Sequence, residues 1–170
     1  MAILPRSAWM TVRAAAALMA VVLSRNANAQ ATTAADSTAV VAAAQRLFDA
    51  MATRDTAAAR ALLLPGSQFI ALRSNGQATA PRQQADSAFV RSLASGSQRL
   101  LERMWSPTVH VRGPLAVVWA PYDFHIDGKF SHCGVDTFSL VRTAAGWQVS
   151  GIAYTVETTG CAPSPLGPPR

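Results

Sequence analysis

After Gly96 the hydrophobic period changes to two and stays there for some sixty residues. Four extended runs follow, over about 99–111, 115–126, 130–142 and 147–158. Their punctuation is short: Arg112-Gly113-Pro114, Asp127-Gly128 and Ala144-Ala145-Gly146. Gaps of this size leave no room for a crossover helix, so the runs predict an antiparallel meander of sequential neighbours. Strands this long twist, and the sheet is expected to curl around whatever packs on it, leaving a cavity at its open end.

The residues before Gly96 supply the packing partner. From Ser37 the positions Val40, Val41, Ala44, Leu47, Phe48 and Met51 recur at helical spacing, with Asp36 or Ser37 as cap. A second short helix is predicted from Asp55 to Leu64, stopped by Pro65-Gly66. Gln68–Arg73 reads as a strand, and Asn75-Gly76 as a two-residue hairpin turn. A third helix is predicted from Pro81, with Ala85, Ala88, Phe89 and Leu93 as its apolar stripe and Gly96 as its end. The plan is α+β: three helices packed on a curved antiparallel sheet. The tail from Cys161 carries four prolines and is expected to be loose.

The N-terminus reads as an export signal. Arg6 and Arg13 precede an unbroken apolar run from Ala14 to Leu23, and Ala27 and Ala29 give the small-x-small pattern before Gln30. That run is too short to span a bilayer, which takes about 20 apolar residues. The expected organisation is a signal peptide over 1–29, a leader over 30–36, one domain over 37–161 and a flexible tail over 162–170. The expected location is the periplasm or the exterior, with no membrane contact after cleavage. Of the 15 Lys and Arg, Arg6, Arg13 and Arg25 lie in the signal. The remaining 12 face 9 acids, an excess too small to point to nucleic acid. With 50% hydrophobic and 14% charged residues the chain is not a disordered one.

Candidate chemistry concentrates near the sheet's long hairpin. His132 and Asp136 are four apart on one strand and share a face with Gly134, Phe138 and Leu140. A two-residue Asp127-Gly128 turn sets Asp123 opposite His132 and Trp119 opposite Asp136. A His flanked by carboxylates can serve as general base or acid near neutral pH; the same residues also suit a polar patch in a structural sheet. A bulge at Pro121 would put Tyr122 and Phe124 on the cavity side in place of Asp123. Trp105, Trp119, Tyr122 and Tyr154 have apolar bodies with polar tips and suit either a small-molecule pocket or sheet packing. His110, His125 and His132 fall on different strands without metal-ligand spacing, and no phosphate loop or nucleophile motif occurs. No metal and no cofactor is expected. Without a bulge, Val118, Ala120, Tyr122 and Phe124 form an outer apolar face, which a homodimer through the sheet would cover.

The C-terminal blocks carry a resemblance. Val118-Trp119-Ala120-Pro121-Tyr122-Asp123-Phe124, Gly128-Lys129-Phe130-Ser131-His132-Cys133-Gly134-Val135-Asp136, Gly146-Trp147-Gln148-Val149, Tyr154-Thr155 and Gly160-Cys161 resemble the exported bacterial branch of the nuclear transport factor 2-like (NTF2-like) superfamily, near its SnoaL-like and lumazine-binding-like domains. The resemblance spans roughly 37–161 and implies a cone-shaped α+β roll. The superfamily holds isomerases, cyclases, dehydratases and plain binding domains, so it does not choose an activity. Both cysteines sit in these blocks, and with export this implies a Cys133–Cys161 disulfide. A two-residue Ala144-Ala145 turn puts Cys133 opposite Val156, so the chain must turn back after Thr158, where Gly160 allows it. Three functions stay open. One is a domain binding a small, partly apolar molecule. The second is an isomerase-like enzyme with His132 as base, oriented by Asp136 or Asp123. The third is a protein-interaction module on the outer sheet face.

Overall fold

The computed structural model describes residues 34–73 and 81–169. The expected export signal and the expected Asn75-Gly76 turn lie outside them. The chain divides into two units, Met1–Asp36 and Ser37–Arg170. Of the first only 34–36 are described, and they are helical. Among the described residues no helix is long and apolar enough to cross a membrane.

Helix α1 covers 34–53. It is already under way before Asp36 and Ser37, so neither caps it; Ala34 and Ala35 are strong helix formers and give it no reason to stop there. Val40, Ala44, Leu47 and Phe48 are buried at the expected spacing. Helix α2 spans Thr56–Leu62, capped by Asp55, whose Oδ1 accepts from the Ala57 and Ala58 amides at 3.0 and 2.9 Å. It ends early because Leu63 already pairs with Val149.

Strand β1 is therefore longer than predicted, Leu63–Arg73. Pro65-Gly66 does not separate helix from strand. It breaks the register between Leu63 and Gln68, with Gly66 at φ +88°. A second correction follows at β2, Arg82–Ala85, which pairs antiparallel with β1 where a helix was expected. The edge of β1 needs hydrogen-bond partners, and that demand overrides the local helical pattern. Helix α3 starts only at Asp86 and runs to Ser95, burying Phe89, Val90 and Leu93. Gly96 ends it at φ −84°, so its value is not a left-handed cap. A Cβ there would run into the Arg54 guanidinium, which donates to the Leu93 carbonyl at 3.0 Å and ties the end of α1 to the end of α3.

The run over 99–111 is two strands, β3 (Leu100–Met104) and β4 (Thr108–Arg112). The chain bends at Ser106, φ +45°, just before Pro107, and both pieces pair with β5. β5 (Leu115–Ile126), β6 (Lys129–Thr143) and β7 (Gly146–Val156) form the antiparallel meander. The sheet order is β2-β1-β7-β6-β5-β3, with β4 also on β5, and the β1–β7 pairing is parallel. The architecture is the expected α+β one, with a mixed rather than an all-antiparallel sheet.

The register of β5 on β6 differs from the simple hairpin. Ile126 and His125 face Lys129 and Phe130, but Phe124 then faces His132, so Ser131 is an extra residue. The bulge sits at Ser131 and not at Pro121. It sets Asp123 opposite Cys133, Trp119 opposite Thr137 and Ala120 opposite Asp136. Val118, Ala120 and Tyr122 are consequently core, each at most 1% exposed, and not an outer face awaiting cover. The outer face instead shows Leu115, Trp119 and Phe130.

Cys133 and Cys161 form the implied disulfide, with Cα atoms 6.0 Å apart. A bulge between Ser139 and Leu140 puts Cys133 opposite Glu157 in place of Val156. From Cys161 the tail returns across the outer face, where the Gly167 carbonyl accepts from Arg103 Nη1 at 2.9 Å. At that point the tail straps back onto β3.

Candidate functional site

The inner face of the sheet and helices α1 and α3 enclose a pocket of about 230 Å³. Its walls are apolar: Leu47, Phe48 and Met51 from α1, Phe89 and Leu93 from α3, Phe69, Phe138 and Ile152 from the sheet. Phe69 stacks on Phe89 at 4.3 Å and Phe48 meets Phe138 edge-on at 5.7 Å, so this wall is fixed by ring packing. The polar groups reaching the pocket come from Glu102, Asp136, His132, Tyr154, Gln84 and Ser92.

Asp136 and Glu102 are the unusual members. Asp136 is 2% exposed on β6, across from Tyr154 on β7 and Ala120 on β5. Glu102 comes from β3 opposite Phe124. The two carboxyls hydrogen-bond to each other. Asp136 Oδ2 is buried with no hydrogen-bond partner among the described residues. Burial pushes Asp136 up to about 8, the bond with Glu102 opposing it. Glu102 is pushed well above the carboxylate range, first by burial and then by the charge and hydrogen bond of Asp136. Two touching carboxyls in an apolar wall resist ionising together, so the pair keeps a proton at neutral pH.

His132 also lines this pocket, but it does not meet either predicted carboxylate. Its Nδ1 is 3.0 Å from Ser131 Oγ, and its ring lies against Phe124 and Tyr122 at 5.0 and 5.8 Å. Among the described residues no carboxylate is within ion-pair distance of it. Burial, and then the charge of Arg73, lower its pKa, so the imidazole is neutral.

Asp123 is on the opposite face. The bulge at Ser131 turns it outward, where it takes Arg103 Nε at 2.8 Å and Arg103 Nη2 at 2.5 Å, with His125 Nε2 at 3.4 Å. Burial alone would raise its pKa; the hydrogen bonds from Arg103 and His125, with their charges, outweigh that and leave it lowered. Trp119 is 54% exposed on the same outer face. Tyr122 is buried beneath the pocket and donates to the Thr155 carbonyl at 2.6 Å. Trp105 sits at the β3–β4 bend, its amide on the Pro121 carbonyl. Of the predicted site residues, the structure brings His132, Asp136 and Tyr154 to one pocket and takes Asp123, Trp105, Trp119 and Tyr122 elsewhere.

Glu102 was not singled out from the sequence, although a signal exists. Leu100, Glu102 and Met104 share a strand face, and an acid between two large apolar residues on an inward face is out of place unless partnered.

No family model matches the chain, and no curated protein does. Solved structures do. A proposed dehydratase of the NTF2-like family from Streptomyces avermitilis superposes with a TM-score of 0.59 at 17% identity, over 73% of this chain and 97% of that one. An NTF2-like protein with a cystatin-like fold from Novosphingobium aromaticivorans gives 0.59 at 17% identity, over 81% and 92%. The β subunit of a proposed aromatic-ring-hydroxylating dioxygenase from the same organism gives 0.62 at 12% identity, over 82% and 99%. At these identities the likeness speaks for architecture, and on that ground the chain has the NTF2-like fold.

Proposed function

We propose that this chain is an exported domain that binds a small, partly apolar molecule in the inner pocket and hydrogen-bonds its carbonyl or hydroxyl oxygen through the Glu102–Asp136 pair. The observation that carries the reading is the Glu102–Asp136 carboxyl pair set in an apolar wall, where burial raises both pKa values. A neutral carboxyl buried in such a wall is a strong donor to a ligand oxygen, and the wall supplies the hydrophobic part of the affinity. A disulfide suits an oxidising compartment, which supports export.

The probe is methyl 4-acetylbenzoate, a neutral aromatic ketone, titrated calorimetrically into the chain. Binding is expected at pH 6 and is expected to weaken as pH rises through about 8, where Asp136 gives up its proton. Asp136→Asn, which donates at any pH, is expected to remove that dependence. No binding at pH 6, or a flat profile in the unsubstituted chain, sinks the reading.

A second reading is favoured by the same pair: proton transfer to and from a carbonyl substrate, with the carboxyls as acid and base and the neutral His132 beside them. The chain would then speed exchange of the probe's acetyl hydrogens into deuterated water, followed by NMR, and Asp136→Asn would lose the effect. Exchange at the uncatalysed rate leaves binding as the function.

A further inference from the structure

The pocket adjoins a second cavity of about 370 Å³, and Phe69, Gln84, His132 and Tyr154 line both. The new residues of the outer cavity include two cations, Arg73 and Arg82. Register fixes their position. Asp136 pairs with Tyr154, Tyr154 with Ala71, and Ala71 with Arg82, so Asp136 and Arg82 stand in one cross-strand row over four strands. Three strand spacings put their backbones about 14 Å apart along the sheet. Arg73 lies two residues beyond Ala71 on the same face of β1, opposite Val156.

The two ends of this continuous space therefore differ in charge. The inner end is lined by a carboxyl pair and, among the described residues, by no Arg or Lys, so it offers hydrogen bonds to a neutral oxygen and nothing to pair with an anion. The outer end holds two guanidiniums, which match a carboxylate in geometry as well as in sign. Resting on the binding function above, we infer that the ligand is an amphipathic organic acid, bound with its neutral carbonyl or hydroxyl end on Glu102 and Asp136 and its carboxylate at Arg73 and Arg82.

The test compares 4-acetylbenzoate with its methyl ester, two molecules that differ at the outer end only. The acid is expected to bind about tenfold more tightly, and the gap is expected to narrow as salt rises, since the arginines are exposed. In the Arg73→Gln/Arg82→Gln double variant the acid should fall to the affinity of the ester while the ester is unchanged. Equal binding of acid and ester by the unsubstituted chain, or a double variant that weakens both alike, overturns the inference and leaves the neutral pocket standing. If neither molecule binds, the pocket reading itself fails and this inference goes with it.

Discussion

Asp123 and Asp136 lie on neighbouring strands of one sheet, 5% and 2% exposed, and they titrate in opposite directions. Asp123 faces outward under the tail, where Arg103 supplies hydrogen bonds and positive charge and His125 lies within 3.4 Å. Asp136 faces inward, where its partner is another acid. Burial costs both of them. The outer face compensates the charge and gains a fixed structural node; the inner face leaves it uncompensated and obtains a proton that can be shared with a visitor. Uncompensated burial of a titratable group is what marks a working surface.

The largest effect separating the two faces should come from Arg103→Met. It strands Asp123 with His125 as its remaining partner, and breaking a buried pair costs about 3–5 kcal/mol. Urea unfolding at pH 7 measures it, and a loss below about 1 kcal/mol would show that the outer cluster does not stabilise the fold. Replacing Cys133 and Cys161 by Ser removes the covalent anchor of the strap. The closed segment, whose ends are 28 residues apart, makes this worth about 3–4 kcal/mol in the loop-entropy account. Reduction of the native disulfide should reproduce that loss in the same unfolding assay.

On the inner face the sign reverses. Asp136 holds its proton in the fold to about 8, whereas an unfolded Asp releases it near 4. Between those values the folded state binds more protons, so this group's contribution to stability falls as pH rises. Asp136→Asn should remove that decline and be more stable than the parent at pH 8 by about 1 kcal/mol or more. Asp123 does the opposite: its contribution is present above the unfolded value and lost as pH falls through its lowered folded value. Thermal melts across pH 4 to about 9 compare the two. The smallest effect is expected at Trp119, exposed on the outer face. Trp119→Ala should change stability by less than about 1 kcal/mol and leave ligand binding unaltered.

Periodicity and punctuation made the meander legible: β5 has the bounds that its sequence predicts, and β6 and β7 differ by a residue or two. The site was legible only in part, because one residue decides it. Ser131 gives no local sign of a bulge, yet the bulge there sends Asp123 out and brings Phe124 in. A period of two makes a sheet's faces sensitive to any such insertion. The helical reading of 82–85 failed for a related reason, since β1 needs an edge partner that no local pattern announces. Pro107, by contrast, lay in view and could have divided the run over 99–111 into β3 and β4. The strap on Arg103 was hidden because a proline-rich tail looks alike in sequence whether docked or free.

The central claim is that one sheet holds two buried acids of opposite titration. Carbon-detected NMR of side-chain carboxyls, in protein labelled at Asp and Glu, reads both groups in a single pH series. The account predicts that Asp136 titrates near 8 and that Asp123 titrates below the usual Asp value. Asp136 titrating together with Asp123 in the ordinary range of about 3 to 5 would contradict it.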